Sequence, residues 1–310
     1  MQRIYLLPIR TYFIAILVCF TIQSTIAQKK NLELVMGAGV TYFLGDLGGS
    51  KDVGSFGPKD LDIPSSRWLL QGGIRLPLNN YFTLRGNLAG GYLSGNDDFS
   101  KNDIRYERNL SFRAPFIELS VLCEFYFIRE SMAGLYKTNS SKAGVKSSLF
   151  NMDYYAFAGI GGNWFNPQGT YKGKWYNLQP LGTEGQGLEG SGKDPYNRTA
   201  VILPFGLGMQ KRINNQLALN VEFGYRFTSS DYIDDVSGSY YEQDKISEER
   251  GEIAAYFANP SDDFIDVTYN QDGSVSEYQQ RGNPNNKDSY GFLTVSIAYT
   301  LKKRTPLRRF

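Results

Sequence analysis

The feature that most constrains this chain is a strict two-residue alternation in the segment LALNVEFGYRF, residues 217–227. Every second residue is apolar or aromatic, and those between them are mostly polar or small. A period of two places successive side chains on opposite faces of a β-strand. The segment therefore predicts a strand with one apolar face and one polar face.

Seven further segments alternate in a comparable way, which gives about eight strands of roughly the length that crosses a membrane at a tilt. They cover residues 32–44, 68–76, 82–92, 116–127, 154–165, 201–213 and 290–301. Short or medium connections follow the second, fourth and sixth strands, and long ones follow the first, third, fifth and seventh. Outer-membrane barrels have this asymmetry, with turns in the periplasm and loops outside. The predicted fold is all-β: an antiparallel transmembrane β-barrel.

A soluble β-sandwich or lipocalin-like barrel is the alternative, because alternation alone does not say which face meets water. A soluble barrel shows water a face rich in Lys and Glu, whereas the polar face here is mostly Gly, Asn, Ser and Thr. Aromatic residues also cluster towards the ends of the segments, as interfacial girdles do. They are Trp68, Phe82, Tyr92, Trp164, Tyr225, Phe227 and Tyr299. Both observations favour the membrane barrel.

The N-terminus, residues 1–27, has the features of a cleavable export signal. Two arginines precede an apolar stretch at 12–22, and Thr25 and Ala27 supply small residues before the expected cut at Gln28. The stretch is shorter than the ~20 residues of a spanning helix, so cleavage is favoured over a membrane anchor. The expected organisation is a signal peptide at 1–27, a barrel with its loops at 28–301 and a basic periplasmic tail at 302–310.

Composition excludes several classes of function. The 33 basic and 31 acidic residues nearly cancel, which gives no reason to expect a nucleic-acid partner. Histidine is absent, so His-based triads, His zinc sites and imidazole bases are excluded. After signal cleavage Cys123 is the one cysteine, so no intramolecular disulfide forms. No spacing singles out a catalytic pair of carboxylates, and the sequence predicts neither an enzyme nor a cofactor.

The inward face of the predicted barrel carries charges that need partners. An eight-stranded barrel is only wide enough for side chains to fill its interior. Arg85 and Glu124 fall on neighbouring strands and are expected to pair. The predicted polar network of the lumen consists of Glu33, Arg75, Arg85, Glu118, Glu124, Glu222 and Arg226. We expect this network to seal the barrel.

The loop after the seventh strand, 228–289, is the longest and is expected to contain structure of its own. Its sequence predicts a short helix at 246–257 and a hairpin at 267–275 turning at Asp-Gly. Three acidic residues in it raise the question of a calcium site: Asp231, Asp234 and Asp235. Their spacing does not match the EF-hand pattern, so a solvated acidic loop is favoured and no metal site is predicted.

The chain ends in a basic tail that should lie in the periplasm. Its candidate docking residues are Lys302, Lys303, Arg304, Arg308 and Arg309. A run of charge is more often solvated than bound, so a docking tail and a solvated tail both stay open.

Several segments together resemble the PorG family. They are RNLSFRAP at 108–115, LQPLGTEGQG at 178–187, DYIDDVSGSYY at 231–241, QRGNP at 280–284 and KDSYGF at 287–292. The resemblance extends over most of the mature chain, and three of the segments fall in predicted extracellular loops, where the function of a barrel usually lies.

The resemblance implies a small, non-enzymatic outer-membrane barrel of the type IX protein secretion machinery. It implies association with a periplasmic ring built from the lipoprotein PorK and from PorN, and no cofactor. The other function that the sequence leaves open is a free-standing barrel of the OmpA or OmpX type, which contributes adhesion or surface structure through its loops. In both cases the expected surroundings are outer-membrane lipid.

Overall fold

The computed structural model describes residues 31–47, 63–99, 103–129, 152–261, 267–270 and 275–301. Within these residues, eight long antiparallel strands form the wall of a barrel. They are β1 (Glu33–Leu44), β2 (Arg67–Pro77), β3 (Phe82–Asn96), β4 (Ser111–Ile128), β5 (Asp153–Phe165), β8 (Thr199–Arg212), β9 (Leu217–Thr228) and β12 (Ser289–Thr300). The order around the wall is β3-β2-β1-β12-β9-β8-β5-β4, and the pairing of β3 with β4 closes the barrel. The predicted transmembrane barrel is confirmed.

Most strand ends lie within two residues of the predicted ones, but β3 and β4 are longer than expected at their outer ends. The register pairs Asn96 with Ser111, beyond the region where apolar and polar residues alternate. At this height both faces of β3 are covered, and the consecutive residues Leu93, Ser94 and Gly95 are all buried. A strand covered on both faces has no alternation to reveal it, which is why the sequence misses the extension of β3.

Two short turns close the periplasmic end, and both use an asparagine side chain. Asn79 Oδ1 accepts hydrogen bonds from the backbone N–H groups of Tyr81 and Phe82, each at 2.8 Å. Asn214 Oδ1 accepts in the same way from Gln216 (2.8 Å) and Leu217 (2.9 Å). Asn favours such turns because its side chain satisfies the backbone of the residues that follow it.

The outer face of the barrel is apolar and uncovered. Met36 is 74% exposed, Leu119 65% and Leu207 60%, while the alternate residues point into the lumen and are mostly buried. A soluble barrel does not leave such a continuous apolar face in water, so the barrel spans a membrane, and membrane barrels of this type belong to outer membranes. None of the helices in the described residues is long and apolar enough to cross a membrane.

Aromatic side chains mark both edges of this apolar band. Towards the outside, Trp68 and Tyr92 meet edge to face with ring centroids 5.5 Å apart, and Trp164 is partly exposed at a similar height. Towards the periplasm, Phe82 and Phe125 contact each other at 5.2 Å. These positions agree with the predicted interfacial girdles.

The long connections fold into a compact structure on the outer end of the barrel, which we call the cap. It consists of the described residues 45–47, 97–99, 103–110, 166–198, 229–261, 267–270 and 275–288. Its helices are α1 (Asp103–Arg108), α2 (Gln243–Arg250) and α3 (Glu252–Ala258), and its strands are β6 (Gln168–Tyr171), β7 (Lys174–Asn177), β10 (Val267–Tyr269) and β11 (Val275–Tyr278). It also contains 3₁₀ turns at Asp97–Phe99 and Gln179–Leu181. A third 3₁₀ turn, Ile63–Ser65, lies beside the cap. The two arms of the hairpin predicted at 267–275 are present as the antiparallel pair β10–β11, and its predicted turn at Asp272-Gly273 lies outside the described residues.

The single helix predicted at 246–257 is two helices. Gly251 separates α2 from α3 with a positive φ of 86°, a conformation that L-residues with a side chain rarely adopt. The break lets the buried residues of both helices, among them Ile246 and Ala254, face the same small core.

Candidate functional site: a sealed lumen beneath a folded cap

The periplasmic half of the lumen is filled by a network centred on Arg75. Its Nε lies 2.8 Å from Glu124 Oε1, and its Nη2 lies 2.9 Å from Glu222 Oε1. Nη1 also donates to Asn220 Oδ1 (3.1 Å), and Nη2 donates to the hydroxyl of Tyr155 (2.9 Å). The Arg75 side chain is fully buried, so it needs this complete set of partners to offset its lost hydration.

Arg85 completes the same network. Its Nε lies 3.1 Å from Glu124 Oε1, which is the predicted pair, and its Nη1 lies 2.5 Å from Glu222 Oε1. The hydroxyl of Tyr155 donates to the same Glu222 oxygen. Two guanidinium groups and two carboxylates therefore share one buried cluster, and their formal charges cancel.

A second ion pair lies closer to the outer end. Arg226 Nε is 3.2 Å from Glu118 Oε2, and the Tyr290 hydroxyl donates to the same oxygen at 3.0 Å. The Arg226 guanidinium also stacks 3.7 Å from the centroid of the Phe292 ring. This pair connects the polar half of the lumen to the aromatic residues above it.

Glu33 lies at the edge of the Arg75 network: the charge of Arg75 acts on its carboxylate, but the two groups do not form an ion pair. It is half-buried at the periplasmic end of β1, and no cation of the described residues lies within 4.0 Å of its carboxylate. Its side chain faces the lumen, as predicted, near the periplasmic end of the barrel.

Above the ion pairs the lumen becomes apolar and continues without a break into the core of the cap. Barrel residues such as Phe116 and Phe292 and cap residues such as Ile233, Val236 and Phe257 belong to one buried cluster. Side chains therefore occupy the interior at both ends, and the cap is packed onto the barrel as part of the same fold.

The core of the cap also contains a buried arginine, Arg281. Its Nη1 lies 3.3 Å from Glu184 Oε1 and donates to the backbone carbonyl of Asp235 at 2.6 Å, while its Nη2 donates to the carbonyl of Phe257 at 3.2 Å. Arg108 continues the network, because its Nη1 donates to the carbonyl of Arg281 at 2.5 Å. Segments that are far apart in the sequence therefore meet at Arg108 and Arg281.

The three loop aspartates are buried, so the prediction of a solvated acidic loop is wrong. Asp235 accepts hydrogen bonds from the hydroxyls of Thr183 and Tyr196, each at 2.5 Å. Asp231 accepts from the Ser237 hydroxyl at 2.6 Å, and Asp234 Oδ2 accepts from the backbone N–H of Leu47 at 3.2 Å. The sequence-based expectation failed because these acids are structural groups inside a packed cap.

Burial raises the pKa of these acids. It raises the pKa of Asp235 to about 6, an effect that the positive charge of Arg281 partly offsets. Burial also raises the pKa of Asp231 to about 6, against the hydrogen bond from Ser237. The pKa values of Asp234 and Asp288 are raised further by burial and by the negative charge of neighbouring carboxylates.

The described residues hold no group of side chains suited to a metal ion. They contain no group of three or more His, Cys, Asp or Glu side chains arranged to hold a metal. A crevice between α3 and the start of β4, lined by Leu110, Tyr256 and Phe257 among others, has a volume of about 30 Å³. That is room for a few water molecules and far below the volume of a substrate pocket.

The predicted docking residues of the tail, Lys302, Lys303, Arg304, Arg308 and Arg309, lie outside the described residues. The ladder of β12 ends at Thr300, on the side of the two asparagine turns. Thr300 therefore lies at the periplasmic end of the barrel.

Sequence reasoning missed the buried residues that organise the cap, although a signal for them was present. Arg108, Glu184, Asp235 and Arg281 each fall in a different one of the segments that carry the resemblance. In the structure these segments meet in one hydrogen-bonded cluster. The presence of a charged residue in each of these four segments is the signal that could have identified the buried core of the cap.

A scan against protein-family models and a search of curated proteins find no match. The chain is similar to several solved structures. One is Ail, the attachment invasion locus protein of Yersinia pestis, in complex with the heparin analogue sucrose octasulfate. Its sequence identity is 9%, the match covers 88% of this chain and 100% of that chain, and the TM-score is 0.37. Neisserial surface protein A matches with 7% identity, coverage of 87% and 97%, and a TM-score of 0.35. The outer membrane protein OprG from Pseudomonas aeruginosa matches with 9% identity, coverage of 88% and 98%, and a TM-score of 0.34. Similarity at this level carries no argument about function.

Proposed function

We propose that this protein is a non-enzymatic outer-membrane subunit of the type IX protein secretion machinery that docks a periplasmic ring of PorK and PorN type. The observation that carries the proposal is the meeting of the PorG-like segments. They are spread from residue 108 to residue 292, and residues from four of them form one buried cluster around Arg281. Segments that share one structural unit support the resemblance more strongly than scattered short matches do.

The periplasmic end offers the docking surface in this proposal. Five cations of the tail follow β12 directly, where they would face a ring anchored to the inner leaflet of the outer membrane. Because the lumen is filled by the Arg75 network, transport through this barrel is not part of the proposed role.

Affinity purification from crosslinked membranes tests the proposal. The tagged full-length protein should recover homologues of PorK and PorN, and their absence would contradict the proposed partners. A variant with the five tail cations changed to Gln should recover less of the ring than the wild type. Lys172→Gln, which removes an exposed charge from the cap, is the matched control and should recover as much as the wild type.

The second candidate is a free-standing barrel whose cap provides adhesion or surface structure. The folded cap favours it, because a rigid outer surface with its own core is suited to binding on the cell exterior. A deletion strain separates the two functions. Loss of type IX secretion supports the docking subunit, whereas normal secretion with altered surface attachment supports the free-standing barrel.

A further inference from the structure

A chain of hydrogen-bonded side chains lies on the outer wall of the barrel above β5. Arg113 Nε donates to Gln168 Oε1 at 3.1 Å, and Gln168 Nε2 donates to Asn177 Oδ1 at 2.9 Å. Asn166 Nδ2 donates to the same Asn177 oxygen at 2.9 Å, and Arg198 Nη1 donates to Asn166 Oδ1 at 3.0 Å. We call these five residues the amide–arginine belt.

The strand register places the belt directly above the outer aromatic girdle. Asn166 follows Trp164 by two residues, and Arg113 lies two residues beyond Pro115, the partner of Tyr92. Two residues correspond to roughly 7 Å along a strand. Since the girdle marks the edge of the hydrocarbon layer, the belt lies at the height of the lipid headgroups.

The two arginines of the belt differ from the buried arginines of this protein, because they have no acidic partner among the described residues. The buried arginines of the barrel and cap have carboxylate partners within 4.0 Å: Arg75, Arg85, Arg108, Arg226 and Arg281. Among the described residues, no carboxylate lies within that distance of Arg113 or Arg198. Two positive charges therefore lie at the outer rim of the barrel, with Arg113 on its lipid-facing side, and neither has an acidic partner from the described part of the chain.

Aromatic rings hold the Arg113 guanidinium in place without using its outer N–H groups. The guanidinium carbon lies 3.5 Å from the centroid of the Trp175 ring and 5.7 Å from that of Tyr92. Stacking occupies the faces of the guanidinium, and Nε is bonded to Gln168. The Nη1 and Nη2 edge has no hydrogen-bond partner among the described residues, so it is oriented and available.

We propose that the amide–arginine belt binds the phosphate groups of an outer-leaflet lipid. An arginine fork matches the geometry of a phosphate, and neighbouring amides supply neutral donors. The belt continues the surface that already contacts lipid and faces sideways into the headgroup layer, which favours a phosphorylated lipid over a protein ligand approaching from above. This inference does not depend on the proposed role in secretion.

Native mass spectrometry of the purified full-length protein tests the proposal, with bis-phosphorylated lipid A and chemically dephosphorylated lipid A as the probes. The wild type should retain the phosphorylated lipid at least about tenfold more tightly, as expected for charge-assisted hydrogen bonds. Arg113→Gln and Arg198→Gln should each weaken retention by about fivefold or more. Arg113→Lys keeps the charge without the fork and should fall between the wild type and Arg113→Gln.

Lys245→Gln is the matched control, because it removes an exposed cation of α2 whose ion-pair partner is Glu242, within the cap. It should retain the lipid as the wild type does. A heat-dependent gel shift shows whether each variant is folded. If one glutamine variant does not fold, the other glutamine variant and Arg113→Lys still test the proposal. Equal retention of the two lipids by the wild type, or wild-type retention by folded Arg198→Gln and Arg113→Lys, would overturn the proposal.

Discussion

Arg75 on β2 and Glu222 on β9 meet inside the lumen, with Arg75 Nη2 2.9 Å from Glu222 Oε1. Two other strands, β1 and β12, separate β2 from β9 in the wall. The contact therefore crosses the interior and ties distant parts of the wall together. Its two residues are 147 positions apart in the sequence, so the pair forms only when the barrel has closed.

Glu222→Gln should destabilise the barrel strongly. The substitution leaves Arg75 and Arg85 with Glu124 as their one remaining charged partner in the cluster, and a buried charge without compensation costs about 3 to 5 kcal/mol. The free energy of unfolding from urea titration in detergent measures the effect. Glu248→Gln, on an exposed position of α2, is the control and should change stability little.

The double variant Arg85→Gln/Glu222→Gln tests whether the two residues act through each other. It removes one charge of each sign, so its destabilisation should be clearly smaller than the sum of the two single variants. Additive effects would contradict a shared network.

The pure protein should show no large, steady conductance in a planar bilayer. The Arg75 network fills the periplasmic half of the lumen and the apolar core fills the outer half, which leaves no continuous water path. Single-channel recording measures this, with a trimeric porin as the positive control. A stable conductance of porin size would contradict a sealed lumen.

Gly208→Ala should destabilise the barrel, whereas Gly86→Ala should not. A Cβ at position 208 would overlap Cζ of Tyr155, so the ring that bridges Arg75 and Glu222 would have to move. Nothing lies within 4 Å of a Cβ at position 86. We expect a loss of about 1 to 3 kcal/mol for the first variant, the usual cost of overpacking. Equal urea midpoints for the two variants would show that Tyr155 is not tightly held.

The barrel was predictable from sequence because the membrane imposes a simple rule on each strand. A side chain faces either lipid or lumen, so a period of two reveals the strand, and its parity places Arg75, Arg85, Glu124 and Glu222 in the interior. Parity also placed Glu33 inward, but it does not report the depth of a residue in the lumen. Depth depends on the tilt and stagger of the strands, which is why the sequence does not reveal that Glu33 lies near the periplasmic end and makes no ion pair with Arg75.

The cap was not predictable in the same way. Its core depends on contacts between loops, such as that of Arg281 with Glu184, 97 residues away. Such contacts leave no local period in the sequence. Acidic residues on a loop are usually solvated, and only the packing of four connections around Asp231 and Asp235 makes them buried.

Arg281→Met should unfold the cap locally while the barrel stays intact. The substitution removes one of the two cations that pair with Glu184, leaving Lys193, and it leaves the carbonyls of Asp235 and Phe257 without their donor, which costs about 1 to 3 kcal/mol, and the loss falls on the cap. Protease cleavage of the loops in proteoliposomes should become much faster, while the heat-dependent gel shift of the barrel persists. Lys245→Gln should show the protease resistance of the wild type.

The opposite pattern would count against a cap that unfolds on its own. If Arg281→Met abolished the gel shift, cap and barrel would form one cooperative unit. If it left cleavage unchanged, Arg281 would not organise the cap.

Acidification from pH 8 to pH 5 should stabilise the cap. Asp231 and Asp235 have pKa values of about 6 in the folded cap, above the value of about 3.9 for a free aspartate. The folded cap therefore binds protons more tightly than the unfolded chain, and this contribution is fully present below about pH 3.9 and is lost as the pH rises through 6. The raised pKa values of Asp234 and Asp288 act in the same direction.

Hydrogen exchange of cap amides at pH 5 and pH 8, corrected for the intrinsic exchange rate, measures this effect. Protection should be greater at pH 5. Asp231→Asn imitates the protonated acid, because its amide can still accept the hydrogen bond from Ser237, so the variant should be more protected than the wild type at pH 8 and less sensitive to pH. A cap that is better protected at pH 8 than at pH 5, with Asp231→Asn less protected than the wild type, would mean that these acids are charged in the folded protein.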